Sequence, residues 1–423
     1  MMTSGFLILL TFLCIATLTV KREHMVVPLI IAMCYLPADI PLKVGVYHIY
    51  ALRAVALMGL LRVMVAGDLS RIESNKIDKL FFSYNIIGSI IYILASFNTV
   101  QAIIFKCGVF VDSIVLYLVL RTSIESKSTI NLIVKTFAGC VLMMLPFVVF
   151  EYFTSNNLFS IFGRSGLSVR DGEIRAAATF SHPILFGSFA AVIAPLLWAK
   201  YRIGKEKRYL AAFFCCMFFI YASSSSGPIV VFAGVIFLLS FFVWRNHSKI
   251  LARCILAVVI FIHFARESPF WHFFYARVSI KGSSTGWHRY LLAEAAVEEF
   301  PNWWLLGYGD IGPQWHDKYW PYTHATFTDV TNHYLLEGVR GGFITMCLFI
   351  VLCYTVIRTL GTAAVIETDL ESQWLLWGFT VMMIAHCITF LSVSYFGQIT
   401  MLLYLTIAVG SFVLSEANKK KTS

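Results

Sequence analysis

Apolar stretches of about the length that crosses a lipid bilayer recur along the whole chain. They lie near residues 4–20, 25–38, 47–66, 80–98, 103–120, 129–150, 177–199, 209–222, 227–244, 251–265, 334–357, 374–392 and 397–414. A spanning helix needs about 20 mostly apolar residues, with some tolerance for tilt. The pairs at 4–38 and 209–244 contain short members, so the expected number of transmembrane helices is 12–13. The first stretch has no basic residues before it and no small-residue cleavage site ahead of Lys21-Arg22, so it reads as a span and not a signal peptide. Charged residues are only 13% of the chain and hydrophobic ones 59%, against about 25% and 45–50% in a soluble domain. So few charges cannot solvate a water-exposed surface of this size. The expected fold class is all-α: one integral membrane domain over 1–423. Disorder, coiled coil, a secreted disulfide scaffold and a cytosolic enzyme are excluded.

The net charge of +10 suits basic loops held on the cytoplasmic side better than a nucleic-acid partner. Three basic stretches, KYRIGKEKR (200–208), WRNHSKILAR (244–253) and the C-terminal NKKKTS, agree if all are cytoplasmic. With thirteen spans the N-terminus is then outside. The ten cysteines lie in or beside apolar segments without metal-type spacing, as small core residues do. Two sizeable loops fall on the external side, 151–176 and 266–333. The second holds six of the ten Trp and five of the eleven His. It is expected to be partly helical and to lie on the membrane surface, with Trp at headgroup level. The run Ser223–Ser226 reads as a tight external turn.

Candidate chemistry concentrates in these external segments. Residues 287–300 have helical propensity, with Pro301 as the stop. On that helix Arg289, Ala293, Ala296 and Phe300 share a stripe, where Arg289 either meets a ligand or snorkels to headgroups. GYGD (307–310) is a Gly-rich turn. Arg164, Arg170 and Arg175 stand where positive charge is disfavoured, so they need an anionic ligand or pairing with Glu151, Asp171 or Glu173. Arg175, at the mouth of a span, is read as functional. Farther on, Asp329, His333 and Glu337 follow i, i+4, i+8 and would share a helix face, and Glu337 and Arg340 would neutralise each other. His333 is the candidate general base, oriented by Asp329. The structural alternative is that His333 only packs under the Trp-rich loop.

RAAATFSHPILFG (175–187), SSSSGPIV (223–230), WHRYLLAEAAVEEFPNWWLLGYGD (287–310) and TNHYLLEGVRGGF (331–343), in this order between these spans, resemble the O-antigen ligase and polysaccharide polymerase superfamily. ALRAVALMGLLRVM (51–64) also looks like an early span of exopolysaccharide-locus members. The resemblance implies a bacterial inner-membrane glycosyltransferase with a periplasmic catalytic face and a cytoplasmic C-terminus. It would use no metal or cofactor. It would transfer glycan from an undecaprenyl-diphosphate-linked donor to a sugar hydroxyl. Its two functional arginines would fall on Arg175 and Arg289, at the diphosphate. Its partners would be the lipid-linked oligosaccharide, a glycan acceptor, the bilayer and a chain-length regulator. Members carry His before Asn at the start of a late span, whereas this chain has Thr331, Asn332 and His333. The base then falls on His333, Asp329 or His324, with Arg170 and Asn332 as further substrate contacts. This departure favours a polymerase over a lipid A–core ligase. A lipid-linked oligosaccharide flippase is the rival class. It would place polar residues at mid-membrane and show repeat symmetry, neither of which is visible in the sequence.

Overall fold

Inside lipid no water is present to bond backbone amides, so apolar stretches close their hydrogen bonds internally as helices. The computed structural model describes residues 3–38, 40–44, 47–164, 168–170, 172–265, 271, 285–310 and 329–422. The helices in chain order are α1 (Ser4–Thr19), α2 (Val26–Tyr35), α3 (Ala51–Val65), α4 (Lys76–Ala95), α5 (Thr99–Phe110), α6 (Leu116–Ser123), α7 (Lys127–Thr154), α8 (Pro183–Gly204), α9 (Lys207–Ala222), α10 (Ser226–Ser240), α11 (Ser248–Phe264), α12 (Thr285–Glu298), α13 (Phe300–Trp303), α14 (His333–Ile366), α15 (Leu370–Phe390) and α16 (Ile399–Thr422). Two small antiparallel hairpins and a few short 3-10 or π-helical turns complete the described secondary structure. β1 (Pro41–Val44) pairs with β2 (Tyr47–Tyr50), and β3 (Ser168–Arg170) with β4 (Glu173–Arg175).

Every expected apolar stretch contains a helix, but among the described residues eight helices are long and apolar enough to cross a membrane. The expected 12–13 crossings are thus not all matched by length. α1, α2, α3 and α9 have 16, 10, 15 and 16 residues, short of the 20 or so a crossing takes. The span expected at 47–66 loses its first turn because Tyr47–Tyr50 pairs as a strand. The expected spans at 227–244 and 251–265 join through a helical link bent at Trp244.

Side-chain pairings fix the helix directions. Lys200 meets Glu371, and Gly378 packs on Ala199 and Pro195, so α8 and α15 are antiparallel. Gly227 faces Ser392 and Trp377 donates to the Leu238 carbonyl, so α10 and α15 are antiparallel too. Gly88 on Thr345 and Asn75 on Ser415 set α4 against both α14 and α16. Thr406 sits against His386 across the turn from α15, so α16 runs antiparallel to α15 as well; α8, α10 and α16 point the same way, and the three basic stretches sit at one end of the bundle. Ties across that end include Lys127–Glu367 at 3.2 Å and Arg22 between Asp68 and Glu125. A buried polar network lies nearby. Asp78 accepts from Tyr117, Ser411 and the Asn75 amide, while Arg121 donates to Ser411 and Ser415. Each polar group there has a partner, the condition for burying such groups. All ten cysteines are free thiols, five of them buried.

Candidate functional site

The opposite end of the bundle is built around a broken helix. α14 breaks at Gly342, where φ is 77° and ψ 166°. Its first limb, 333–341, folds back, so the His333 ring lies 5.2 Å from the ring of Phe349. A straight helix would separate these residues by about 24 Å. The break leaves helix-terminal carbonyls without intrahelical donors, and the GYGD turn supplies them. The Tyr308 amide donates to the Val339 carbonyl at 2.7 Å and the Gly309 amide to that of Arg340 at 3.2 Å, while Phe343 donates to Trp304 at 2.7 Å. The approach demands glycine. A Cβ on Gly342 would stand 2.3 Å from the Leu305 carbonyl oxygen, and one on Gly307 2.6 Å from that of Val339. Asp310 fastens the turn to α4 by accepting from the Phe97 amide.

α12 and α13 form a small core over this clamp. Leu292, Ala295 and Ala296 bury against Trp303, Tyr308 and Val339. Of the stripe expected at Arg289, Ala293, Ala296 and Phe300, only Ala296 is buried; the face that packs is Leu292, Ala295 and Ala296. Pro301 does not stop the helix; it opens the short α13, whose first turn needs no amide there. Burial and the Glu299 carboxylate push the Tyr308 phenol up to about 12, so it stays neutral in this core.

A second anchored segment lies alongside. Residues 176–180 are buried but not helical, although a span had been expected from 177. Buried irregular backbone must find side-chain partners. Glu151 accepts from the Ala177 and Ala178 amides, both at 3.0 Å, and Asn157 donates to the Ala178 carbonyl. Thr179 donates to Cys34, and Gln398 to Leu36 and Thr179. His182 then caps α8, its Nδ1 accepting from the Ile184 amide.

Between these segments opens a cavity of about 550 Å³, walled by α3, α4, α5, both limbs of α14 and the start of α16. His333, Glu337 and Arg340 reach it from the folded-back limb, Arg53 from α3, Lys106 from α5, and Asp112 from a π-helical turn at Val111–Val115. Such π turns recur at functional sites. Arg53 grips Asp112 bidentately at 2.8 and 2.6 Å. The Lys106 ammonium lies 4.2 Å over the Tyr92 ring, within electrostatic reach of Glu337 and Arg340. His333 is 8% exposed and boxed by Phe349, Phe390 and Tyr395. Its Nε2 is 4.0 Å from a Glu337 oxygen, and its buried Nδ1 meets no hydrogen-bond partner among the described residues. Tyr395 is steadied by a 2.8 Å hydrogen bond shared with the buried His386.

The sequence-selected residues divide accordingly. His333 lines the cavity, and Asn332 caps its helix by accepting from Leu335. Asp329 does not share their helix face, because α14 starts only at His333; the Asp329 side chain is exposed, and its carbonyl lies 3.3 Å from His288 Nε2. The carboxylate one turn from His333 is Glu337. Glu337 and Arg340 form no ion pair with each other, contrary to the expected neutralisation. Neither Arg175 nor Arg289 lines the cavity. Arg175 is buried and donates to the Ser223 carbonyl and Ser225 hydroxyl, so the serine turn is also its cradle. Arg289 is half-buried on α12. Arg164 is buried and within electrostatic reach of Glu151, one of the three carboxylates considered for it. The strand register sets Arg170 opposite Glu173. The side chain of Arg170 and all of His324 lie outside the described residues.

Arg53, Lys106 and Asp112 were missed by sequence reasoning focused on loops. Their signal was available: each is an ionisable residue inside an apolar stretch, where charge is costly without a purpose. No family model and no curated protein matches the chain.

Proposed function

We propose that the protein is a multi-pass membrane glycosyltransferase that polymerises a surface polysaccharide. It would move glycan from an undecaprenyl-diphosphate-linked donor to a sugar hydroxyl. The observation that carries this reading is the cavity itself, where the His333 imidazole lines the same space as Lys106 and Arg340. A transfer of this kind needs a base for the attacking hydroxyl and fixed positive charge for the leaving diphosphate. In this reading His333 is the base, with the Glu337 carboxylate 4.0 Å from its Nε2. The aromatic walls, Tyr84, Tyr92, Phe105 and Tyr404, suit sugar faces. In this reading the cavity end is periplasmic, the basic end cytoplasmic by the excess of Lys and Arg, and the host is the bacterial inner membrane. A ligase acting on lipid A–core would use the same chemistry with a different acceptor.

Purified protein given a lipid-linked oligosaccharide should extend it. His333→Ala should slow extension about 10²–10⁴-fold, the usual worth of general-base assistance. Glu337→Gln should lose less, and Asp329→Ala little. Normal turnover by His333→Ala would defeat the assignment. One observation favours a second reading. A broken helix carrying charged residues into a bundle cavity also characterises transporters. Proteoliposomes separate the two: a flippase moves the donor across the bilayer without lengthening its glycan.

A further inference from the structure

We propose that His386 and Tyr395 are positioning residues for His333, and that the hydrogen bond between them keeps the His333 imidazole in the orientation that transfer needs. This deepens the transfer reading above and rests on it, with His333 as the base.

Of the rings that box His333, Phe349 belongs to α14 and Phe390 closes α15, so helical backbone fixes both. Tyr395 lies in the non-helical link 391–398, where no helical hydrogen bonds set its place. Its ring centroid is nevertheless 5.9 Å from that of His333, with 32° between the planes. Its hydroxyl holds it there, 2.8 Å from Nδ1 of His386. The link is moored on two further sides. Ser394 donates to the Val330 carbonyl, just ahead of His333, and Gln398 donates to the Leu36 and Thr179 carbonyls. Tyr395 lines the cavity and His386 does not.

The direction of the hydrogen bond follows from its surroundings. The Thr406 hydroxyl gives its hydrogen to the Leu402 carbonyl at 2.8 Å, so toward His386 Nε2, 3.4 Å away, it can only accept. Nε2 therefore carries the imidazole hydrogen, Nδ1 is the acceptor, and Tyr395 donates to it. With its hydrogen given to His386, the phenol is no acid for a reacting sugar; it acts through the placement of its ring. His386 is wholly buried between α15 and α16. A polar ring is costly there unless it is partnered, and an apolar side chain would fill the space without that cost. An ionisable residue inside a span is functional by default. The function of this one is to hold Tyr395.

The test uses full-length protein in nonionic detergent, with two readouts. Diethyl pyrocarbonate reports His333 directly, through the carbethoxylation rate of the peptide that carries it. Tyr395→Phe and His386→Leu should each quicken that rate about 2- to 10-fold, the net worth of one hydrogen bond. An unchanged rate in both variants overturns the tether. Transfer from an undecaprenyl-diphosphate-linked oligosaccharide is the second readout. Each variant should lower kcat about 10- to 100-fold, the effect of a misplaced group, with little change in KM. The double variant Tyr395→Phe/His386→Leu removes both polar partners and should recover Tm but not kcat. Recovery of both would make the pair structural and overturn the inference. On a His333→Ala background Tyr395→Phe should lower kcat no further; a full further loss also overturns it. Normal turnover by both single variants, while His333→Ala is slow, removes the tether and leaves the transfer reading standing. A wild-type protein that transfers no glycan, yet whose His333 carbethoxylation quickens in both variants, supports the tether and ends the transfer reading alone.

Discussion

Arg53 and Asp112 illustrate how a charge is kept inside an apolar bundle. Each guanidinium edge meets a carboxylate oxygen, and planar forks of this kind fix orientation as well as charge. Removing one partner strands the other, so the single changes should cost more than the double change. Asp112 keeps 45% of its side-chain surface, and solvent screening reduces the value below that of a sealed pair. A double-mutant cycle with Arg53→Met and Asp112→Asn, read as Tm in detergent, should give a coupling of about 1–2 kcal/mol; strict additivity would show that the pair is incidental. The same logic decides between the two carboxylates near His333. Asp329 is four residues away in sequence, as Glu337 is, but only Glu337 lies on the helix that carries the imidazole.

At the scale of elements, the break in α14 carries most of the site. It turns one apolar run into a spanning limb and a short limb that holds His333, Glu337 and Arg340 over the cavity. The clamp works through backbone contacts closer than any side chain permits, so Gly342→Ala and Gly307→Ala should both fail. Gly342 also has φ 77°, a conformation that costs an alanine about 1–3 kcal/mol. Both variants should lower Tm and remove activity together. Gly361→Ala is the control, since its Cβ would meet Thr380 at an ordinary 3.6 Å. Equal tolerance at all three positions would mean that the clamp does not hold the break. The 176–180 segment obeys the same accounting with Glu151 as the acceptor. Glu151→Gln replaces one acceptor oxygen with a donor facing an amide and should destabilise that segment, visible as faster amide exchange at Ala177 and Ala178.

For the molecule as a whole, charge and shape agree on two unlike ends. Helix-terminal lysines and arginines gather at one, and the broken helix, the cavity and the small core of α12 and α13 lie at the other. In intact cells expressing a protein freed of its own cysteines, Asn156→Cys should react with an impermeant thiol reagent and Lys205→Cys should not. The reverse pattern would place the cavity on the cytoplasmic side and end the periplasmic reading. Trp287, Trp304, Leu305 and Leu306 are all exposed, and exposed Trp suits headgroup depth. Quenching of their fluorescence by headgroup-brominated or spin-labelled lipid would check this.

The amino-acid sequence by itself determined the class, the helix positions and the shared end of the basic stretches. Hydrophobic length and Lys/Arg placement are one-dimensional quantities, and lipid converts them directly into helices and sides. It also pointed to 287–300 as a helix, though not to the face that packs, and to His333 as a residue of interest. It overstated the crossings, because a run such as 47–66 does not show that its first residues pair with Pro41–Val44. It left Arg53, Lys106 and Asp112 unremarked, since each is a single charge in an apolar run until the helices meet. Only the tertiary structure decided which charges share a space, that Arg175 is tied to the serine turn, and that GYGD closes a helix thirty residues away. Those are contacts between distant backbone and side-chain atoms, and no local pattern encodes the distance between two segments that only packing brings together.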